Sequence, residues 1–340
     1  MIAYPNVKVN LGLSVLRKRP DGYHDLETLF YPCFDIHDTL EIITGDDFSR
    51  TSASLFERYS AAGQTAVPEV PDPENCATLG NIRGGDPSFT LGGGPAEQDI
   101  FRVGTPPDGG FKGNKEEKTQ IRQGIREDGK LMMTIARKDG VDWDPLEDLT
   151  AKAYGLLDEE FGLPPVKIFL EKTSPVGAGL GGGSADASFA LKMLSELFAL
   201  GLDAAALAAR AARLGSDCAF FVYNRPMLGT GRGEVLEPYD IDLSQFELRV
   251  CVPEGVRVGT AEAYRGITPR EAATCRALPL REALSRPVAE WRDCLVNDFE
   301  ATVFAKYPAI AGAKQALYDA GAIYASMSGS GSAVYGLFPR

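Results

Sequence analysis

Apolar residues along the chain recur with two different periods, and the change from one to the other brackets its most unusual segment. Residues 166, 168 and 170 are apolar, the two-residue period of a strand. Further on, Ala187, Ala190, Leu191, Leu194, Leu197 and Phe198 repeat every three or four positions, one face of a helix. The same alternation predicts strands over 7–15, 39–43, 129–135, 219–223, 247–252 and 332–338. Helical spacing predicts helices over 149–161 (Ala153, Leu156 and Leu157 inward), 203–214 and 260–265, with more between 270 and 320. Residues 1–45 read as strands joined by a turn over 19–23. A sharp connection at 229–233 suggests a division into 1–232 and 233–340.

One region follows neither period. Eleven Gly and seven Pro fall within 60–115, out of 37 and 22 in the whole chain. A patternless stretch this long is unusual inside a compact domain, so 46–127 is expected to be an insertion. Its Gly92-Gly93-Gly94 follows no clear strand and opens no apolar-striped helix.

Composition narrows the possibilities. A chain of 340 residues, 44% hydrophobic and 24% charged, is an ordinary globular protein with room for two cores. The net charge of −12 argues against nucleic acid or an acidic membrane as partner. Six scattered cysteines with no C-x-x-C pair and only two histidines make a zinc site a poor fit. Reduced cysteines, no apolar run long enough to span a membrane and a first strand almost at residue 1 point to a cytoplasmic protein.

The candidate chemistry begins at 175–187, PVGAGLGGGSADA. Glycines let successive N–H groups turn into one concavity, and a helix N-terminus favours an anion by roughly 0.3–2 kcal/mol. Ser184 and Asp186, at the helix entrance, can cap it or reach a metal ion. The segment is neither a P-loop nor a clear G-x-G-x-x-G turn, so it reads as an ATP phosphate cradle of another type or as a flexible glycine connection. A second small-residue loop, 326–332, could close on the same ligand. Asp217, in a Gly-Ser-Asp turn, can accept or orient a hydroxyl proton, or simply serve the turn. Lys8 faces opposite to Val7 and Val9, with Asn10 on its own side, and is either a solvated strand residue or the cation that keeps Asp217 ionised. Tyr23 and His24 offer a stacking plane and a donor–acceptor edge for a base. His37 suggests nothing beyond packing.

Taken together, eight segments resemble the GHMP kinase superfamily: 6–11, 19–24 with 27–30, 175–187, 214–217, 231–234, 258–264, 295–298 and 327–331. The resemblance covers about 1–45 and 128–340. It implies an α+β, two-domain fold, with an N-terminal ribosomal protein S5 domain 2-like unit and a ferredoxin-like C-terminal unit, interrupted here by a long atypical insertion. Within the superfamily the Asp-Gly-Tyr-His element, with Thr260 and Tyr264, implies ATP-dependent phosphorylation of the 2-hydroxyl of a cytidine-diphosphate derivative of methylerythritol, in non-mevalonate isoprenoid biosynthesis. A kinase for homoserine or mevalonate, or a non-catalytic nucleotide-binding relative, are the alternatives.

By the same resemblance Asp217 and Lys8 form the reacting end. Asn10 holds the acceptor alcohol, Tyr23 and Tyr264 sandwich the cytosine, His24 bonds its edge, and Thr260 contacts substrate. Pro175, Gly177, Gly179, Gly181, Gly182, Gly183 and Ser184 line the ATP phosphates, Mg²⁺ bridges them with Ser184 as a possible ligand, and the main chain of Lys172 lies near the adenine. Asp148 stands where the family usually has Asn, replacing an amide by an acceptor-only carboxylate. Tyr264 replaces a commoner Phe.

Overall fold

The computed structural model describes residues 1–45, 119–270 and 278–340. Most of the expected insertion, including Gly92–Gly94, lies outside them. Strands β1 (Ile2–Ala3), β2 (Asn6–Lys18), β3 (His24–His37) and β4 (Thr39–Thr44) come first. β5 (Gln120–Ile125), β6 (Leu131–Arg137), helix α1 (Leu149–Phe161) and β7 (Val166–Lys172) follow. A five-stranded sheet runs β1-β4-β7-β6-β5, antiparallel except for β6 and β7, which α1 joins as a parallel pair. Its apolar face, with Ile42, Met133, Ile135, Ile168 and Leu170, packs on Leu157 of α1 and on Leu191 and Leu194 of α2 (Gly182–Leu197). This packing anchors the glycine segment at both ends, since β7 precedes it and α2 continues it.

After α2 come α3 (Ala204–Leu214), α4 (Cys218–Tyr223) and a hairpin of β8 (Met227–Thr230) and β9 (Val235–Pro238). The hairpin completes a second sheet, β2-β3-β8-β9. The last third holds β10 (Phe246–Cys251), α5 (Thr260–Arg265), α6 (Leu280–Leu284), α7 (Trp291–Cys294), α8 (Glu300–Lys306), α9 (Pro308–Asp319), β11 (Tyr324–Met327) and β12 (Val334–Pro339). Its strands form a three-stranded antiparallel sheet, β10-β12-β11. Long β2 reaches both halves: besides pairing β3, Leu13 exchanges backbone bonds with Val296 and Asp298. No helix among the described residues is long and apolar enough to cross a membrane.

Four expectations change. Residues 218–223 form a helix, not a strand. An all-apolar six-residue run carries no period, and here Cys218, Phe220 and Phe221 are buried on every side of a short helical turn. The insertion does not extend to 127, because 120–125 is an edge strand held by backbone pairing to β6 with little burial of its own. Residues 229–233 turn a hairpin whose strands pair from Thr230–Val235 to Met227–Pro238, so a division at 232/233 cuts through paired backbone. Residues 324–327, expected in part as loop, are a short strand of small and mixed side chains.

Candidate active site

The glycine segment is built as a loop over a helix start. Gly177, Gly179 and Gly181 have φ values of 71°, 80° and 74°, a left-handed sequence open to glycine at little cost. Gly181 caps α2, which begins at Gly182, earlier than its apolar stripe indicates. The first N–H groups of the helix have no partner within it and face outward as a donor set. Ser184 is half-buried in the first turn. Asp186 is not at the entrance to cap it; it is fully buried and ion-paired to Lys172, Nζ to Oδ2 2.7 Å. The two small-residue loops do touch. A Cβ on Gly179 would strike the Ser328 carbonyl oxygen, Ser328 Oγ donates to Gly179 O (2.9 Å), and Ala333 N donates to Ala178 O (3.0 Å).

Beside this contact sits Lys8, buried rather than solvated. An ammonium has three protons to donate, and Lys8 finds three acceptors: Asn10 Oδ1 at 2.6 Å, Gly179 O at 3.0 Å and Asp217 Oδ2 at 3.2 Å. Asn10 is fixed in turn by donating to Thr28 Oγ1 (3.0 Å), whose hydroxyl donates to Gly12 O (2.6 Å). Asp217 stands at the N-terminal end of α4, yet its side chain makes no capping bond to that helix. The other end of α4 is tied to the same strand, since the amides of Asn224 and Asn6 bond each other in both directions (2.8 and 3.2 Å). A helix pinned to β2 at both ends holds the carboxylate over Lys8. The carboxylate keeps about a quarter of its surface open, 28% against 3% for Lys8.

The aromatic residues are arranged differently from the expected sandwich. His24, not Tyr23, stacks on Tyr264, with centroids 5.0 Å apart and planes 22° apart, while Phe299 meets Tyr264 edge-on. Tyr23 is exposed and lies against the Arg232 guanidinium, 5.1 Å from the ring centroid. Two flat rings shed water by stacking on each other, and the cation draws Tyr23 aside. Burial, and then the charge of Lys18, hold the His24 pKa below its ordinary 6.5. Burial, and then the charge of Asp217, push Tyr264 up to about 12, which puts this aromatic group within electrostatic reach of the carboxylate. Thr260 opens α5 with its hydroxyl 3.3 Å from Ser330 Oγ, so it borders the second loop.

Lys172 does not present its side chain to solvent, because its ammonium is buried between Asp38 (2.5 Å) and Asp186. Both oxygens of Asp148 are engaged, Oδ1 by Thr150 N (2.9 Å) and Oδ2 by Trp143 Nε1 (3.0 Å), so the carboxylate caps α1. Sequence reasoning passed over Asp38 and Ser174, and gave Thr28, Ser328 and Asn297 no role although they lie in segments that carry the resemblance. Asn297 gives both amide protons to the second loop, at Met327 O and Gly329 O, each 2.8 Å. A signal for Asp38 was present: Lys172 continues the apolar series 166, 168, 170, and a lysine on the buried face of a strand needs a buried anion. Among the described residues no group of three His, Cys, Asp or Glu side chains gathers as a metal site.

Comparison with known proteins agrees with this geometry. The family model for the GHMP kinases N terminal domain matches 148–225, and that for the GHMP kinases C terminal matches 280–340. The 4-diphosphocytidyl-2-C-methyl-D-erythritol kinase of Bacteroides fragilis is 37% identical, covering 99% of this chain and 92% of its own. That of Bacteroides thetaiotaomicron is 38% identical with the same coverage. A crystal structure of 4-(cytidine 5'-diphospho)-2C-methyl-D-erythritol kinase superposes with a TM-score of 0.62 at 26% identity, covering 99% of this chain and 90% of that one.

Proposed function

The chain belongs to the GHMP kinases and, within them, to the 4-diphosphocytidyl-2-C-methyl-D-erythritol kinase family, and from that membership we propose that it transfers the γ-phosphoryl group of ATP to the 2-hydroxyl of 4-diphosphocytidyl-2-C-methyl-D-erythritol, giving the 2-phosphate and ADP. The observation that carries this reading is Lys8, which holds Asp217 with one proton and the glycine loop with another. Phosphoryl transfer needs an aligned acceptor oxygen beside a phosphate cradle and a place for the acceptor's proton. Asp217, 3.2 Å from the Lys8 ammonium, accepts or orients that proton. Lys8 is spent on its three acceptors and so positions rather than wanders. Asn10 lies on the same side of β2 for the methylerythritol portion.

The phosphates of ATP fit the N–H groups over 177–184, with the main chain at Lys172 and Pro175 along the adenine side. Mg²⁺ suits the site because the half-buried Ser184 hydroxyl in the first turn of α2 offers a hard oxygen donor, and this ion asks few of the protein when phosphates and water complete its shell. When bound it neutralises charge on the transferring phosphoryl group. On the base side, His24, Tyr264 and Thr260 border one face. Cytosine would enter against Tyr264 where His24 now stacks, leaving the imidazole edge and Tyr23 to close over it. A neutral His24 carries one donor and one acceptor for that edge. The protein would work as a cytoplasmic enzyme, and we assign its nucleotide half to residues up to Pro238, where the second sheet ends.

An ADP-release assay with MgATP tests this, run with 4-diphosphocytidyl-2-C-methyl-D-erythritol beside homoserine and mevalonate. Release that depends on the cytidine compound is expected. Turnover of either aliphatic alcohol instead would displace the substrate assignment. ATP binding without turnover of any of the three would mean a non-catalytic relative.

A further inference from the structure

A buried cluster lies beneath the glycine loop, and no step described above uses it. Asp38, at the junction of β3 and β4, is fully buried. Its Oδ1 accepts from Thr173 N and Ser174 N, both at 2.7 Å, and its Oδ2 accepts from Ser174 Oγ at 2.7 Å and Lys172 Nζ at 2.5 Å. Lys172 ends β7 where the loop departs, and its Nζ also reaches Asp186 Oδ2, in α2 where the loop has returned. The loop is therefore tied across its neck, fourteen residues apart in sequence. Gly182 rests directly on this tie, since a Cβ there would lie 2.5 Å from Ser174 Oγ and 3.3 Å from Lys172 Nζ.

The two carboxylates are not equivalent. Asp38 has four donors, and although burial opposes its charge, Lys172 and the Ser174 and backbone donors hold its pKa below 3.8. Asp186 has Lys172 on one oxygen and no partner on the other, and burial raises its pKa well above the usual carboxylate value. The Lys172 ammonium thus faces one carboxylate whose charge its donors favour, Asp38, and one whose charge burial disfavours, Asp186. That arrangement avoids the large cost of an uncompensated buried charge.

We infer that Asp38, Lys172, Ser174 and Asp186 are positioning residues that fix the span of the loop, so that its N–H groups are arranged for the nucleotide phosphates before ATP arrives. The inference rests on reading 175–184 as the phosphate loop. Ordering the loop beforehand removes an entropic cost from ATP binding. None of the four side chains bonds Lys8 or the aromatic residues of the base side, and Lys8 hydrogen-bonds the loop only through backbone oxygens at Gly179 and Leu180, so the effect falls first on ATP.

The test compares Asp38→Ala, Ser174→Ala and Asp186→Asn with the wild-type enzyme, by ATP and ADP calorimetry and by KM for each substrate. Wild-type protein must bind ATP; failure there defeats the phosphate-loop reading itself and not only the tie. Asp38→Ala is expected to weaken ATP by about tenfold or more, a loss in keeping with small displacements of binding groups, and to leave KM for the cytidine substrate within about twofold. Asp186→Asn leaves Lys172 an uncharged acceptor in place of an anion and is expected to weaken ATP less than Asp38→Ala does. Should Asp38→Ala not fold, Ser174→Ala removes two bonds without touching charge and should weaken ATP several-fold. ATP affinity unchanged in Ser174→Ala, or both substrates weakened alike, would overturn the inference and leave the cluster a support of the fold.

Discussion

At the scale of single residues, the site depends on how few freedoms Lys8 keeps. Each of its protons is committed, two to neutral oxygens and one to Asp217, so the ammonium cannot turn away from the carboxylate. Asp217→Asn keeps the shape and removes the proton acceptor. Turnover should fall by roughly 10²–10⁴, the range for losing a general base, while ATP affinity persists. A fall under about tenfold, in the same assay, would leave Asp217 a residue of the α4 turn. His24 yields a pH prediction. Its pKa is displaced downward from 6.5, so the folded protein favours the neutral ring, which persists as pH falls through 6.5 and is lost only below it. KM for the cytidine substrate should stay flat from pH 8 to about 6.5 and rise below that. A rise centred above 6.5 would show that His24 does not act as the neutral partner of the base. The pairing of Lys8 with Asp217 was legible through the family resemblance, since each residue alone also read as something plainer, a solvated strand lysine and a turn aspartate. The stacking of His24 on Tyr264 was not legible, because ring packing depends on a contact between residues 240 apart.

At the scale of elements, the glycine loop and the second loop form a single joint. Gly179→Ala would force a Cβ into the Ser328 carbonyl at a φ of 80°, a conformation L side chains rarely adopt. Its kcat/KM should fall by at least about tenfold, ~1.4 kcal/mol, with the far-UV spectrum retained. Wild-type kinetics would mean the two loops separate during the cycle. Strongly periodic elements were read correctly: β2, β4, β6, β7, α1 and α3 lie where apolar spacing puts them. The failures share a cause. Residues 218–223 are apolar throughout and 120–125 set two isoleucines four apart among Gln, Arg and Gly, so neither has an alternation to read; the first is helical because it is surrounded, the second extended because β6 offers a free edge. The start of α2 was read late because its first turn, Gly182-Gly183-Ser184, carries no apolar stripe.

For the whole molecule, the two halves meet along β2. Arg270 makes a two-pronged pair with Asp298, both bonds 2.8 Å, and Asp298 also accepts from Val15 N at 2.8 Å. Both charges are mostly shielded, so Asp298→Ala strands a guanidinium and a backbone N–H at once. A loss of about 3 kcal/mol is expected, read as a lower midpoint in denaturant, with kcat per folded molecule largely kept. A midpoint unchanged within error would show that the halves hold together without this pair. The division of the chain was the least legible feature, because the hairpin turn at 229–233 looks like a boundary and the true continuity runs through backbone bonds between residues 13 and 298.

That continuity bears on how the protein is made. Lys8 and Asn10 leave the ribosome first, yet the hydroxyl that bonds both Asn10 and Gly179 belongs to Ser328, and the phenol that donates to Asn10 O belongs to Tyr335. Strand β2 must wait, paired only to β3 within its sheet, until almost the entire polypeptide has been synthesised. Contacts spanning such separations form slowly and leave apolar surface open in the meantime. A nascent chain halted before residue 328 would carry Lys8 and Asp217, the side chains proposed to act on the acceptor, and still lack the wall that sets them, so activity is expected to appear late and all at once during translation.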